Sequence, residues 1–140
     1  MLLVLDTNVL SELMRAVPDA QVLNWFDRHT NATFATTAIC QAEILAGLSL
    51  LPNGKRKRQF LAAADALWNE DLGGRIFPFD SAAAVVLADI VQTRQAKGQP
   101  IQFADAAIAA ICRRHKAAVV TRDEGGFAGT SVKLINPWAD

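Results

Sequence analysis

The sequence contains no apolar segment approaching the roughly 18 to 20 residues needed to span a bilayer. Its opening apolar run, LLVL, is ended by Asp6, so we interpret it as a strand and not as the core of a signal peptide. There are only two cysteines, Cys40 and Cys112, both in apolar helical contexts without CxxC spacing. We expect buried free thiols in a reducing compartment, with a disulfide or metal role as the minor alternative. These absences favour a cytoplasmic protein that does not associate with membranes.

Net charge is also lacking, because 14 basic and 14 acidic residues cancel. A protein of this composition that binds nucleic acid would have to segregate its charges over its surface. The sequence has no repeats, no low-complexity segments and no linker rich in Pro, Gly or Ser. With 140 residues, 51% of them hydrophobic, it can bury one substantial core, and we expect a single domain over residues 1–140.

Several common catalytic motifs are missing. The sequence has no GxxxxGKS/T phosphate loop, no GxGxxG and no GxSxG. Its two histidines, His29 and His115, are isolated at predicted helix ends, where structural roles are the more common ones. A hydrolase with this sequence would therefore lack a histidine base, and a metal ion would have to activate the attacking water.

What the sequence does contain is a regular alternation of short apolar runs and longer helical patterns. We predict strands at residues 2–5, 33–37, 75–79, 117–121 and 132–135. We predict helices at residues 7–15, 19–29, 36–51, 55–72, 80–97 and 101–115. This alternation is typical of an α/β sandwich with a mainly parallel central sheet of about five strands flanked by helices.

Two acidic residues follow predicted strands. Asp6 comes directly after LLVL, and Asp123 comes two residues after AAVVT. Both would lie at the carboxyl edge of a parallel sheet, where open α/β folds bind ligands. Either one alone is more often a helix cap or a turn former, so its position does not by itself indicate function.

Two further acids interrupt the apolar stripes of predicted helices. Glu43 lies between Ile39 and Gly47 at helical spacing, and Asp105 shares a helix face with Ile108. A buried carboxylate without a partner costs several kcal/mol or takes up a proton. The structural alternative is a salt bridge or hydrogen bond to a core neighbour. Because neither stripe contains Lys or Arg, such a partner would have to come from elsewhere in the fold.

One arrangement accounts for all four acids. If the two helices pack near the ends of the strands at 2–5 and 117–121, the carboxylates converge on one pocket, and their repulsion requires a cation. Carboxylate oxygens suit Mg²⁺ or Mn²⁺ rather than zinc, and Mg²⁺ keeps coordination positions that phosphate groups can fill. The acids therefore predict chemistry on phosphodiesters or phosphate esters.

Four segments, taken in order, resemble the PIN-domain family. They are LDTNVLSELM, TTAICQAEILAGL, FADAAIAAICRRH and VVTRDEGGF, and with the closing GTSVKLINPW they are similar to its VapC- and FitB-type toxin branch. The resemblance covers the whole chain as a single PIN domain. It implies a Mg²⁺- or Mn²⁺-dependent endoribonuclease on an α/β fold that acts as the toxin of a toxin–antitoxin pair.

The resemblance also implies which residues form the acidic site. The family acids match Asp6 in DTN, Glu43 in the AExxxG helix, Asp105 before IAA and Asp123, where many relatives have Asn. A further acid that relatives commonly have three residues later is Gly126 here. If a fourth ligand is needed, Asp123 therefore has to supply it alone.

The resemblance also bears on polar residues that neighbour the four acids. Glu124 is an untested substitute for the missing acid. The resemblance implies that Thr7, Asn8 and Thr121 support the metal pocket through hydrogen bonds. By sequence chemistry alone, these three are equally suited to turns and caps.

For the reaction, we expect Asp6 and Asp105 to bind the main metal, with Glu43 and Asp123 holding its waters or a second metal. A metal-activated water would attack the scissile phosphate in line. The resemblance implies products with a 3′-hydroxyl and a 5′-phosphate.

The densest cationic segment consists of four residues that we call the basic run: Lys55, Arg56, Lys57 and Arg58. One interpretation is a solvated helix start, although cations there oppose the helix dipole. The other is contact with the RNA backbone, which would provide the charge segregation that the zero net charge demands.

Two alternative functions remain open. Another Mg²⁺-dependent α/β phosphohydrolase or a receiver-type phosphoaspartate switch would also use an acid after the first strand, but DTNVL does not match the phosphatase pattern DxDxT. A non-catalytic PIN-like module would bind RNA or a partner without cleavage. For the toxin, the resemblance implies a homodimer that binds a cognate antitoxin, with higher-order assembly through the antitoxin.

Overall fold

A five-stranded sheet forms the centre of the protein, and the computed structural model describes it together with all of residues 1–140. All neighbouring strands are parallel, and their order is β3-β2-β1-β4-β5. The strands are β1 (Leu2–Leu5), β2 (Thr33–Thr37), β3 (Ile76–Phe77), β4 (Ala118–Val120) and β5 (Leu134–Ile135). The predicted α/β class with a parallel sheet of five strands is confirmed.

The central strand is apolar throughout because it is buried on both faces. In β1, Val4 lies opposite Ala35 of β2 on one side and Val119 of β4 on the other. All three side chains are fully buried. Strands covered by helices on both faces show continuous apolar runs instead of alternation, which explains why LLVL could be identified from the sequence.

Helices cover both faces of the sheet. They are α1 (Thr7–Leu13), α2 (Ala20–Asp27), α3 (Ala38–Ser49), α4 (Lys55–Ala66), α5 (Ser81–Ala96), α6 (Phe103–His115) and α7 (Glu124–Phe127). None of them is both long enough and apolar enough to cross a membrane. Both cysteines are buried and free, as predicted.

The structure corrects several predicted boundaries. The predicted helix over 55–72 ends as an α-helix at Ala66 and continues as a π-helical turn, Leu67–Asp71. The edge strand predicted over 75–79 is reduced to two residues, since Pro78 has no N–H to donate. Helix α7 was not predicted, because its four residues include two glycines that read as a turn.

The strand order creates a crevice beside the first strand. From β1 the chain adds β2 and β3 on one side, and it then returns through α5 and α6 to place β4 on the other side. The reversal falls between β1 and β4, and ligands bind at such a switch point, outside the carboxyl ends of the strands. Asp6 follows one of these two strands, and Asp123 follows the other.

Candidate active site

Asp6 is the most deeply buried acid of the site. Its backbone N–H continues the sheet by bonding the Val120 carbonyl of β4 at 3.1 Å, and its side chain caps α1 by accepting from the Val9 N–H at 3.1 Å. Its other carboxylate oxygen accepts the Thr121 hydroxyl, and only 4% of the residue is exposed. Burial raises its pKa from 3.8 to about 6, with a smaller contribution from the charge of Asp105, although the hydrogen bonds oppose the change. The residue is thus both a helix cap and a carboxylate whose charge is destabilised.

Asp105 lies in the first turn of α6 and is half-buried. Its pKa is raised, first by burial and then by the negative charges of Asp123 and Glu43. The positive charge of Arg94 acts in the opposite direction. The pKa of Asp105 therefore depends on the charges of two other acids of the cluster as well as on burial.

The expectation that Glu43 lies in a buried stripe is wrong. The core-facing residues of α3 are Cys40 and Ile44, and Glu43 stands beside that face and is exposed. Its Oε1 accepts the Thr7 hydroxyl at 2.7 Å. A Cβ built at Gly47 would meet no other atom within 4 Å, so the space beside this residue is open. Glu43 thus reaches the crevice from its solvent side.

Asp123 is exposed and caps α7, where its Oδ1 accepts from the Gly126 N–H at 3.0 Å. Its own N–H donates to the Thr121 hydroxyl oxygen at 2.9 Å, so one threonine links it to Asp6. Gly126 is packed between acids, because a Cβ there would lie 2.5 Å from an Asp123 oxygen and 3.2 Å from an Asp105 oxygen. A side chain at this position would therefore crowd both acids.

All four acids line one pocket of about 150 Å³, with Thr7, Asn8, Ile108 and Phe127 completing its wall. None of the four forms an ion pair with Lys, Arg or His. In the conformation described, no three acidic, His or Cys side chains are close enough together to hold a metal ion. The donor chemistry nevertheless fits a hard divalent cation, because the pocket gathers only oxygen donors and leaves their charge without a counter-ion. Binding would require the carboxylates to draw closer together.

The polar neighbours divide into two groups. Thr7 and Thr121 make the hydrogen bonds to Glu43 and Asp6 described above, while Asn8 lines the same pocket without a side-chain hydrogen bond to an acid. Glu124 faces away from the pocket, where it accepts from the Asn136 amide at 3.4 Å. The structure therefore gives no support to Glu124 as a substitute ligand.

The basic run does not reach the acidic pocket. Arg56 and Arg58 are exposed, and the Arg56 guanidinium lies over the Phe60 ring at 5.5 Å from its centroid. Lys57 instead makes a hydrogen bond within the protein, because its ammonium donates to the Ser49 carbonyl oxygen at 3.2 Å. At least this member of the run has a structural role.

Sequence reasoning missed Arg94, the buried cation nearest to the site. It comes from α5, a different helix from those that carry the acids, so helical periodicity could not connect it with them. The available signal was an arginine in the last turn of a helix with Gly and Pro shortly after it, a pattern that also describes an ordinary helix end.

The chain is similar to known proteins over almost its whole length. The family model described as PIN domain matches residues 3–132. The chain is 39% identical over 137 residues to the VapC ribonuclease Y4jK of Sinorhizobium fredii, covering 98% of each chain. It is 37% identical over 139 residues to Toxin FitB of Neisseria gonorrhoeae, covering 99% of this chain and 100% of the relative. The solved structure of FitAcB from the same organism matches with a TM-score of 0.82 at 36% identity, covering 99% of each chain.

Proposed function

The chain belongs to the PIN-domain family, and from this membership we propose that it is a divalent-metal-dependent endoribonuclease, the toxin of a toxin–antitoxin pair. The observation that carries the proposal is the pocket at the ends of β1 and β4, which four carboxylates line and in which none of them forms an ion pair. The names of two relatives, a VapC ribonuclease and a toxin, support ribonuclease activity and the toxin role.

The proposed metal is Mg²⁺ or Mn²⁺, held directly by Asp6 and Asp105, the two acids whose pKa is raised. When bound, the ion would neutralise the acids, lower the pKa of a coordinated water and stabilise charge on the scissile phosphate. Glu43 and Asp123 are more exposed and would hold water around the ion or contribute to a second metal position.

The chain's own groups restrict how these acids move. Asp6 is fixed by the first amides of α1 and by Thr121, so its carboxylate has little rotational freedom. Thr7 occupies Oε1 of Glu43, which leaves Oε2 free to orient a water or accept its proton. Thr121 ties Asp123 to the same end of β4. These contacts orient the acids before substrate arrives, which is how a site reduces reorganisation during reaction.

RNA would approach along a groove that leaves the acidic pocket between α1, α3 and α4. Thr7 and Glu43 line its inner part, and Met14 and Phe60 line the part that leads to Arg56. Arg56, an exposed cation of the basic run, lines that end, where it can contact phosphates. We propose this groove as the path of the RNA strand.

The proposed protein partners are a cognate antitoxin and a second copy of this chain. The surface offers apolar side chains for such contacts, since Val85 of α5 is 73% exposed and Phe103 of α6 is 66% exposed. Light scattering of the isolated chain would measure its oligomeric state. Co-purification with the product of a neighbouring short reading frame would identify the antitoxin.

The activity is tested with an unstructured RNA, Mn²⁺ or Mg²⁺, and purified protein. We expect cleavage that EDTA abolishes, and a loss of about 100-fold or more in Asp6→Asn and in Asp105→Asn. Asp65→Asn, an exposed acid of α4, is the matched control and should cleave normally. Mn²⁺ should also raise the melting temperature of the wild type, and less so that of Asp105→Asn.

Two results would reject the proposal in different ways. RNA binding without cleavage by the wild type would favour a non-catalytic module. Full activity in folded Asp6→Asn or Asp105→Asn would remove the acids from the mechanism.

A further inference from the structure

Arg94 is a buried cation without an acidic partner. It lies in the last turn of α5, is 7% exposed, and forms no ion pair with any carboxylate. Burying a guanidinium without compensation is costly, so its surroundings must satisfy its donors. Its partners are therefore informative about what the residue holds together.

The guanidinium bonds four backbone carbonyls in two segments. Nε donates to Gln99 O at 2.7 Å and Nη2 to Pro100 O at 3.4 Å, both in the loop between α5 and α6. Nη1 donates to Ala128 O at 2.7 Å and to Gly126 O at 3.3 Å, both at the end of α7. Arg94 thus joins the loop that leads into α6 to the carboxyl end of α7.

These two segments carry two of the four acids. Helix α6 begins at Phe103 and bears Asp105 in its first turn, and α7 is capped by Asp123. The peptide of Gly126 connects them, since its carbonyl accepts from Arg94 while its N–H donates to Asp123. A Cβ built at Gly126 would lie 2.5 Å from an Asp123 oxygen and 3.2 Å from an Asp105 oxygen, so one Cα hydrogen of Gly126 lies between the two acids.

We propose that Arg94 is a positioning residue, whose buried guanidinium holds the end of α7 against the loop before α6 and so sets the separation of Asp123 and Asp105. It touches neither acid, and besides the effect of its charge on Asp105 it acts through the backbone at Gly126. The fork geometry of arginine is what allows one side chain to serve both segments. The inference rests on the proposed function, because that separation matters only if the acids share an ion.

The test uses Arg94→Lys and Arg94→Gln in the full-length chain. Lysine keeps the charge and the aliphatic stem, but its three N–H groups share one nitrogen and cannot replace donors on three nitrogens that bond four carbonyls. Arg113→Gln is the matched control, since Arg113 makes an exposed ion pair with Asp89 at 3.0 Å. Folding is checked by circular dichroism, and all measurements are made well below each variant's melting temperature.

The first readout is amide hydrogen exchange without metal. Arg94→Lys should exchange faster in residues 124–128 than the wild type, while β1 and β4 in the same sample remain protected. The second readout is Mn²⁺ affinity by calorimetry, which should fall about tenfold in Arg94→Lys, where the charge is kept, and stay unchanged in Arg113→Gln. Arg94→Gln should lose less affinity, because it also removes a positive charge that acts on Asp105. Folded Arg94→Lys with wild-type exchange in 124–128, or with wild-type Mn²⁺ affinity, overturns the proposal.

A double-mutant cycle separates positioning from general destabilisation. In an Asp123→Asn background, Arg94→Lys should lower Mn²⁺ affinity less than it does in the wild type, because both changes act on the same ligand. Equal losses in both backgrounds contradict the proposed route through Asp123. If the wild type itself binds no Mn²⁺, the proposed metal-dependent function fails, and the exchange rates of residues 124–128 still decide whether Arg94 fixes α7.

Discussion

Replacing Asp6 by Asn should stabilise the metal-free protein at neutral pH and leave it nearly unchanged near pH 4. Asn has the same shape, and its oxygen can still accept from the Val9 N–H that Asp6 caps at 3.1 Å. In the wild type the Thr121 hydroxyl donates to Asp6, and in the variant the Asn side-chain amide can donate to that hydroxyl instead. What the substitution removes is the carboxylate charge at a position that is only 4% exposed.

The magnitude follows from the pKa of Asp6, which burial raises from 3.8 to about 6. Each unit by which the pKa of a group differs between the folded and unfolded states corresponds to about 1.4 kcal/mol. Keeping Asp6 ionised in the folded protein therefore costs about 3 kcal/mol at neutral pH. That is a large part of the 5 to 15 kcal/mol that is roughly typical for a domain's free energy of unfolding.

The sign of the pH dependence follows from which state binds more protons. Between about pH 4 and pH 6, folded Asp6 keeps a proton that the unfolded chain has lost. The stabilising contribution of this proton is fully present below the unfolded pKa and is lost as pH rises through the folded pKa. The amide introduced by Asp6→Asn cannot titrate, so the advantage of the variant should grow from near zero at pH 4 to about 3 kcal/mol at pH 7.5.

Urea unfolding in EDTA at pH 4, 5, 6 and 7.5 measures this difference, followed by tryptophan fluorescence, since Trp25 and Trp68 are buried. Asp65 is an exposed acid outside the pocket, so Asp65→Asn provides the control for removing a carboxylate. A difference between Asp6→Asn and wild type that does not vary with pH would refute the reasoning. So would a variant less stable than the wild type at pH 7.5.

Three further predictions concern the surroundings of the acids. Thr121→Val removes the hydroxyl that donates to Asp6, so we expect the pKa of Asp6 to rise further. Urea unfolding should show a free energy of unfolding lower by about 2 kcal/mol, with a larger loss at pH 7.5 than at pH 4. Gly126→Ala places a methyl group 2.5 Å from the Asp123 carboxylate, so calorimetry should show several-fold weaker Mn²⁺ binding by a folded protein; unchanged affinity would exclude Asp123 from the metal site. Replacing the basic run by Ser should weaken RNA binding and reduce its salt dependence, and an unchanged slope of log affinity against log salt would leave those cations as a solvated helix start.

The fold was largely predictable because its strongest signals are local. The strand Leu2–Leu5 is a continuous apolar run ended by Asp6, and the helix α5 begins after the capping Asp80 and ends before Gly98. Strand order could not be obtained in this way, because pairing β1 with β4 depends on contacts more than a hundred residues apart. The π-helical turn Leu67–Asp71 was also hidden, since its composition is that of a continuing α-helix.

For the site, sequence patterns located the acids better than their environments. The convergence of the four acids on one pocket follows from their places after strands and on neighbouring helices. The degree of burial did not follow, because Glu43 is one position away from the face that α3 turns to the core. Arg94 was missed because its hydrogen-bond acceptors are backbone carbonyl oxygens. Every residue has such an oxygen, so no sequence pattern marks these contacts.

Burial divides the four acids into two pairs. Asp6 and Asp105 are the acids whose carboxylates are desolvated and whose charge is destabilised in the metal-free protein. Glu43 and Asp123 are exposed, and water already stabilises their charge. A cation that enters the pocket therefore gains most from the first pair, since it relieves a penalty that the metal-free protein otherwise meets by taking up protons. In the proposed metal site, a cation and protons would compete to neutralise the same two carboxylates, so Mn²⁺ affinity should fall as pH is lowered through the raised pKa of Asp6, about 6.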